Sequence, residues 1–161
     1  MSKNYVSSIL ALLVSILLAQ GVGLLGSIAT VPNIDPWYRA LEKPVFTPPD
    51  SLFPIIWPLL FLLMAVAAWL VWTKRETYPV ANTAIVWYAV QLFFNLAWSF
   101  LFFGLQSPTA AFVEILLLFT AILITTWYFQ KVDIKAAILM MPYILWVGYA
   151  MVLNASIAFL N

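Results

Sequence analysis

The chain has 161 residues, 65% of them hydrophobic and only 8% charged, with a formal net charge of +1 and a mean hydropathy of +1.03. A soluble domain carries about 25% charged residues, so this chain lacks the polar surface to stand in water, and it offers no basic field for nucleic acid. It contains neither Cys nor His, which excludes disulfides and thiolate metal sites, and removes the commonest general base and haem axial ligand.

Five apolar stretches follow one another, at about residues 5–29, 52–73, 80–103, 109–130 and 136–160. Each meets the roughly 20 residues a helix needs to cross about 30 Å of hydrocarbon. The runs are continuous, not alternating at period two, so they predict helices and not barrel strands. The first is too long for the apolar core of a secretory signal. The expected fold is an all-α integral membrane protein: one domain over residues 1–161, a bundle of five transmembrane helices with a long structured loop over 30–51. Short turns after helices two, three and four predict that helices two to five are sequential antiparallel neighbours. Lys3, Lys74, Arg75, Lys131 and Lys135 fall on one side and only Arg39 and Lys43 on the other. The excess of cations predicts a cytoplasmic N-terminus, with the long loop outside.

Helix one contains Gly21-Val22-Gly23-Leu24-Leu25-Gly26, a literal match to a dinucleotide fingerprint. That motif must follow a strand and open a helix, and here it lies deep in an apolar helix. The ladder Ser7, Ala11, Ser15, Ala19, Gly23, Ser27 explains it better, because small residues let membrane helices approach closely. Packing against a neighbouring helix is the simplest role; a flat cavity wall or a homodimer face are the others.

The loop runs from Pro32 to Asp50. Asp35 before Pro36 predicts an N-cap and a short helix to about Glu42. Pro44, Pro48 and Pro49 impose a stiff extended return, and Asp50 or Ser51 can cap helix two. A connection this long often forms a lid, and Trp37, Tyr38 and Phe46 fit either a lid or an interfacial aromatic belt.

On helix two, Trp57 and Phe61 share a face, flanked by Pro54 and Pro58. On helix three, Gln91, Asn95 and Trp98 share a face, and on helix five Pro142, Trp146, Ala150 and Asn154 read as one stripe. Amides in lipid are costly unless paired. They serve either helix–helix hydrogen bonding or a flat aromatic pocket with Asn95 as its polar edge and Trp57, Phe61, Trp98 and Trp146 as walls. Glu114, the only charged residue well inside a span, lies close enough to the start of helix four to be expected to snorkel to the interface. Leu123, Tyr128 and Lys131 satisfy a loose sterol pattern, and Arg75, Tyr78 and Val80 its reverse.

Three ordered blocks carry a resemblance. Trp37-Tyr38-x-x-Leu41-x-Lys43-Pro44-x-Phe46-x-Pro48-Pro49, followed by Phe53 and Trp57, is similar to the signature of the tryptophan-rich sensory protein/translocator protein family, also known as the TspO or peripheral benzodiazepine receptor family. Gln91-Leu92-x-x-Asn95-x-x-Trp98 with Phe102-Phe103 resembles its third helix, and Pro142-Tyr143-x-x-Trp146 with Ala150 and Leu153-Asn154 its fifth. Five predicted helices and eight tryptophans agree.

The resemblance implies a membrane receptor or sensor for tetrapyrroles, chiefly protoporphyrin, with benzodiazepine-site compounds in the same pocket. The implied ligand set is Gly26, Trp37, Lys43, Pro44, Trp57, Phe61, Gln91, Asn95, Trp98, Trp146 and Ala150. Arg39 and Lys43 are the nearest cations for propionates. Light-dependent porphyrin breakdown, known of some members, would engage Trp57 and Trp146 as oxidisable residues; no conventional catalytic constellation is present. Transport of porphyrin, sterol or another small lipophile is the alternative function. The sterol-associated stretch of animal members lies beyond helix five, and the ending Phe159-Leu160-Asn161 lacks its basic residues, which counts against sterol binding. No cofactor is required and no metal site is expected. Without His or Cys, metal-free porphyrin is expected to be preferred over haem. The expected setting is a bacterial cytoplasmic membrane, with the lipid bilayer and a second copy of the chain as partners, and no nucleic acid.

Overall fold

A computed structural model describes the backbone of residues 2–161 and the side chains from residue 6 onward; the Lys3 side chain, counted above for orientation, lies outside the described residues. Five helices, α1 (Ser2–Thr30), α2 (Phe53–Thr73), α3 (Val80–Ser99), α4 (Pro108–Val132) and α5 (Ile134–Leu160), are each long and apolar enough to cross a membrane. They reproduce the five predicted stretches, and among the described residues there is no strand. The fold is a five-helix membrane bundle. Leu10, Leu13, Leu17, Leu24 and Ile28 of α1 are exposed, as expected of a face that lipid covers.

The neighbours are sequential except at one pair, α2 and α3. α1 packs on α2 and α3, α2 on α5, α5 on α4, and α4 on α3, which closes a ring in the order α1–α2–α5–α4–α3; α2 and α3 meet only lightly. The small residues of α1 explain this. Ser15 Oγ donates to the Ala65 carbonyl of α2 at 2.8 Å, and Ala19 is fully buried. A Cβ on Gly23 would meet the Phe61 ring of α2 at 2.8 Å, and one on Gly26 would meet Ser99 Oγ of α3 at 2.9 Å. α1 therefore wedges between α2 and α3 and holds them apart.

Only the middle of the four-residue ladder serves this seam. Four residues turn an α-helix through a full circle plus about 40°, so the ladder's ends drift about 200° apart. Ser7 is accordingly exposed, and Ser27 Oγ returns to its own helix at the Leu24 carbonyl. The ladder is a packing seam inside the chain.

At one end, Lys74 in the α2–α3 turn pairs with Asp133 in the α4–α5 turn at 2.8 Å. Asp133 also caps α5 by accepting the Lys135 backbone N–H at 2.9 Å. The Lys74 hydrogen bond, with the smaller contributions of Lys135, holds the Asp133 carboxyl below the usual carboxylate range against the cost of burial.

At the other end α1 continues through short helical turns, Val31–Asn33 and Ile34–Tyr38. Asp35 is extended, with a cis peptide bond to Pro36. Its carboxylate pairs with Arg39 at 2.9 Å and does not cap the backbone. The helical turns stop at Ala40, short of the predicted Glu42, because both backbone groups of Glu42 bond the Asn161 side chain, each at 3.0 Å. A single turn, Asp50–Leu52, enters α2, and neither Asp50 nor Ser51 caps it with a side chain. The loop is packed down on the bundle. Trp37 and Tyr38 lie against Phe102 and Phe103, Tyr149 OH donates to the Phe46 carbonyl, and Gln106 Nε2 donates to Asn33 Oδ1 at 3.0 Å.

Candidate functional site

Inside the ring, Trp57 of α2, Asn95 and Trp98 of α3, Ile115 and Leu118 of α4, and Val147 and Ala150 of α5 surround a cavity of about 10 Å³. That is the space of one water molecule at most, whereas a drug-sized ligand occupies about 300–1,000 Å³. The site is built but closed.

Polar pairing closes it. Asn95 Nδ2 donates to Tyr143 OH at 2.9 Å, Trp98 Nε1 donates to Asn154 Oδ1 at 2.9 Å, and Asn154 Nδ2 donates to the Pro108 carbonyl at 2.8 Å. These bonds satisfy groups that would otherwise be costly in a low-dielectric interior, and they tie α3, α4 and α5 together. Asn95 and Trp98 therefore serve both readings left open by the sequence, since each bonds between helices and each edges the cavity, whereas Asn154 only bonds and Gln91 does neither.

The aromatic wall is layered. Trp57 sits 5.8 Å from Phe61 and 6.5 Å from Tyr143, centroid to centroid. Phe61 backs Trp57 against the Gly23 seam and does not itself line the cavity. Trp98 stacks on Phe102 at 5.0 Å and 21°, which links the cavity to the cluster that anchors the loop.

Other members of the implied set lie elsewhere. Trp146 is off the cavity, 5.9 Å from Phe53 and 5.9 Å from Tyr149, with its indole N–H buried and unpartnered. The inward stripe of α5 is Tyr143, Val147, Ala150 and Asn154; Pro142 is exposed. A step of four residues accumulates about 120° of drift from 142 to 154, so the predicted stripe was one residue out of phase at its start. Gly26 is spent on the contact with α3. Lys43 Nζ bonds the carbonyls of Arg39 and Leu41 at 3.3 and 3.1 Å and lies 4.7 Å over the Tyr38 ring. Pro44 accepts from the backbone and hydroxyl of Thr47 in a local turn. Both fix the loop's own shape.

Among the described residues, Tyr88 OH and the Trp146 indole N–H are buried without a hydrogen-bond partner, and so are the whole polar ends of Gln91 and Glu114. Gln91 is 0% exposed and Glu114 6% exposed. The expectation that Glu114 snorkels is therefore wrong. It lies on the inward stripe of α4 with Ala111, Ile115 and Leu118, and snorkelling needs a face that reaches the interface, not merely a position near a helix end.

A second, larger space of about 280 Å³ opens beneath the loop, lined by Trp37, Leu41, Gln106, Ser107, Pro108, Thr109, Ala158 and Asn161. Trp37 belongs to this outer cavity, not to the inner one. Sequence reasoning missed the inner walls Ile115, Leu118 and Val147, whose aliphatic side chains look no different from lipid-facing ones. Tyr143 and Asn154 were legible as polar groups on helix five, but not as the partners that hold Asn95 and Trp98.

The family model described as TspO/MBR family matches residues 15–160. The chain belongs to the TspO/MBR family. It is similar to the tryptophan-rich protein TspO of Chlorobaculum tepidum, 41% identical over 157 residues covering 95% of this chain and 97% of the relative. It is also similar to the tryptophan-rich sensory protein of Cereibacter sphaeroides, 33% identical over 127 residues, covering 79% and 78% of the two chains. The human translocator protein is 34% identical over 121 residues, covering 73% of this chain and 70% of the relative. Family membership and five membrane-spanning helices make this an integral membrane protein.

Proposed function

We propose that this protein is a membrane receptor that takes a flat tetrapyrrole, protoporphyrin above all, between α2, α3, α4 and α5. The observation that carries the reading is the ring of Trp57, Asn95, Trp98, Ile115, Leu118, Val147 and Ala150 around one point inside the bundle. Indole and amide groups at such a point give stacking faces and a polar edge to a flat ring system. The sensory name of the Cereibacter sphaeroides relative supports the receptor role. Because the cavity is closed, uptake requires α3 and α5 to part, at the Asn95–Tyr143 and Trp98–Asn154 bonds. Benzodiazepine-site compounds compete for the same space. The propionates of a porphyrin reach the end of the bundle covered by the loop, where Lys43 exchanges its carbonyl partners for a carboxylate.

Light-driven breakdown of the bound porphyrin, where it occurs, starts at Trp57, which lines the cavity, and not at Trp146, which does not. The protein works with its N-terminus in the cytoplasm of a bacterial cell, in the cytoplasmic membrane. A second copy, or lipid, meets the outward leucine face of α1, because the small-residue ladder is already spent within the chain.

Titration of detergent-purified protein with protoporphyrin in the dark, followed by tryptophan quenching, tests the reading. Saturable quenching that Trp57→Ala and Asn95→Ala both weaken, and that a benzodiazepine-site compound reverses, supports it. Quenching that neither substitution changes would mean that porphyrin merely partitions into the micelle, and the pocket would fall.

A further inference from the structure

Charged side chains are shared unequally between the two ends of the bundle. The loop end carries Arg39 and Lys43 against Asp35, Glu42 and Asp50. The end formed by the α2–α3 and α4–α5 turns carries Lys74, Arg75, Lys131 and Lys135 against Glu76 and Asp133. Most of the charges at the turn end are already committed. Lys74 holds Asp133 at 2.8 Å, and the Asp133 side chain is only 8% exposed. Arg75 lies 3.5 Å over the Trp72 ring, donates to the Trp72 carbonyl at 3.0 Å and has Glu76 at 3.7 Å. Lys131 and Lys135 remain. Both are exposed, and they stand on either side of the α4–α5 turn. Among the described residues no carboxylate comes within ion-pair distance of either.

Lys131 is held at a definite level. Its Nζ sits 3.2 Å over the Trp127 ring, against 5.8 Å for Tyr128. An indole face attracts a cation but takes none of the hydrogen bonds that an ammonium can donate to an anion. Tryptophan also favours the level of the lipid headgroups. Below the two lysines, exposed apolar side chains continue into the membrane span: Trp127 and Leu123 on α4, Ile138 and Leu145 on α5. A free cation above such a row fits an anion that carries hydrocarbon chains.

The loose sterol pattern Leu123, Tyr128, Lys131 is thereby explained otherwise. Tyr128 packs on the core, and Trp127, which the pattern omits, positions the lysine. A sterol hydroxyl offers that ammonium no countercharge, whereas a phosphate does. In the reverse pattern, Arg75 is spent on Trp72 and Glu76.

We infer that Lys131 and Lys135 form a headgroup site for an anionic phospholipid, whose acyl chains lie along the exposed rows of α4 and α5. The site goes beyond the tetrapyrrole reading and stands whether or not the inner cavity takes a ligand. A lysine beside an anionic lipid headgroup is worth about fivefold in affinity, and the pair about 25-fold.

The test is a titration of delipidated, detergent-purified protein with phosphatidylglycerol and, separately, with phosphatidylcholine of the same chains. Native mass spectrometry counts the bound lipids, and thermal unfolding in detergent checks folding. Wild type is expected to prefer phosphatidylglycerol by at least about tenfold. Lys131→Gln and Lys135→Gln should each weaken phosphatidylglycerol about fivefold. The double variant should bring the preference below about threefold, with phosphatidylcholine unchanged; if it does not fold, the single variants decide. Arg75→Gln, at the same end but already committed, should leave the preference as it was. No preference in wild type, or one that survives in the folded variants, would overturn the inference. A loss in Arg75→Gln as large as in Lys131→Gln would overturn it as well, and make the attraction a diffuse effect of charge. Displacement of the lipid by an equal concentration of glycerol phosphate would reduce the site to one for a soluble phosphate ester, and the lipid claim would fall.

Discussion

The bundle holds two spaces of opposite character. The outer one, beneath the loop, is about 280 Å³ and lined by Trp37, Gln106, Ser107, Thr109 and Asn161 among others. The inner one, between α2, α3, α4 and α5, is about 10 Å³, yet it gathers two indoles and an amide at one point. Size alone would choose the outer space. It is, however, a gap between a loop and the ends of helices, edged by groups already committed: Asn161 to Glu42, Gln106 to Asn33, Ser107 to the N-terminus of α4. The inner space is small because its polar edge is paired across helices, and such pairs in membranes average only about 0.6 kcal/mol each. A ligand that stacks on Trp57 and Trp98 can outbid them. Readiness to open is therefore a better guide than volume to where a flat apolar molecule goes.

The comparison breaks most clearly at the two tryptophans. Trp57→Ala should weaken protoporphyrin binding about 30-fold or more, as loss of a central aromatic anchor does, while Trp37→Ala at the outer space should stay within about threefold. Equal losses in a titration of both variants would place the ligand across the two spaces.

Behind the inner wall, Gly23→Val must displace the Phe61 ring, which a Cβ would already meet at 2.8 Å. Overpacking of that kind costs about 1–3 kcal/mol. Thermal unfolding should show the loss for Gly23→Val and not for Gly21→Val, where a Cβ meets nothing within 4 Å.

Far from both spaces, the clamp between Lys74 and Asp133 should matter less to binding than to stability. The Asp133 carboxyl is held below its ordinary range by Lys74. Its contribution is then fully present above the unfolded value of about 4 and is lost as pH falls through the lower folded value. Asp133→Asn should cost about 1 kcal/mol at neutral pH, because Lys74 is half-exposed and the pair is partly screened. The gap to wild type should close below about pH 4. A gap that persisted in acid would show that the ion pair does not carry the effect, since Asn still caps a helix N-terminus.

Much of this was legible from residue order, and the failures have physical causes. The helices follow from length and apolarity alone. The α3 stripe was read correctly because Gln91, Asn95 and Trp98 step by four and then three, which tracks the true helical period. The α5 stripe was read in uniform steps of four, which drift, so Trp146 was placed in the cavity while Tyr143 and Val147 hold the inward positions. Glu114 was judged by its distance from the helix end, whereas the face it occupies decided its burial. The ring order was hidden because it depends on α1 wedging between α2 and α3, and short turns constrain only direction, not adjacency. Ile115 and Leu118 carry no mark that separates a cavity wall from a lipid-facing leucine.

The most direct test of the central claim fills the inner space without touching its aromatic or polar groups. Ala150→Leu adds bulk at the cavity wall, and protoporphyrin titration of the folded variant should show saturable tryptophan quenching lost, with that of Thr109→Leu at the outer space retained. Saturable quenching kept in Ala150→Leu and lost in Thr109→Leu would move the ligand to the space beneath the loop and contradict the account.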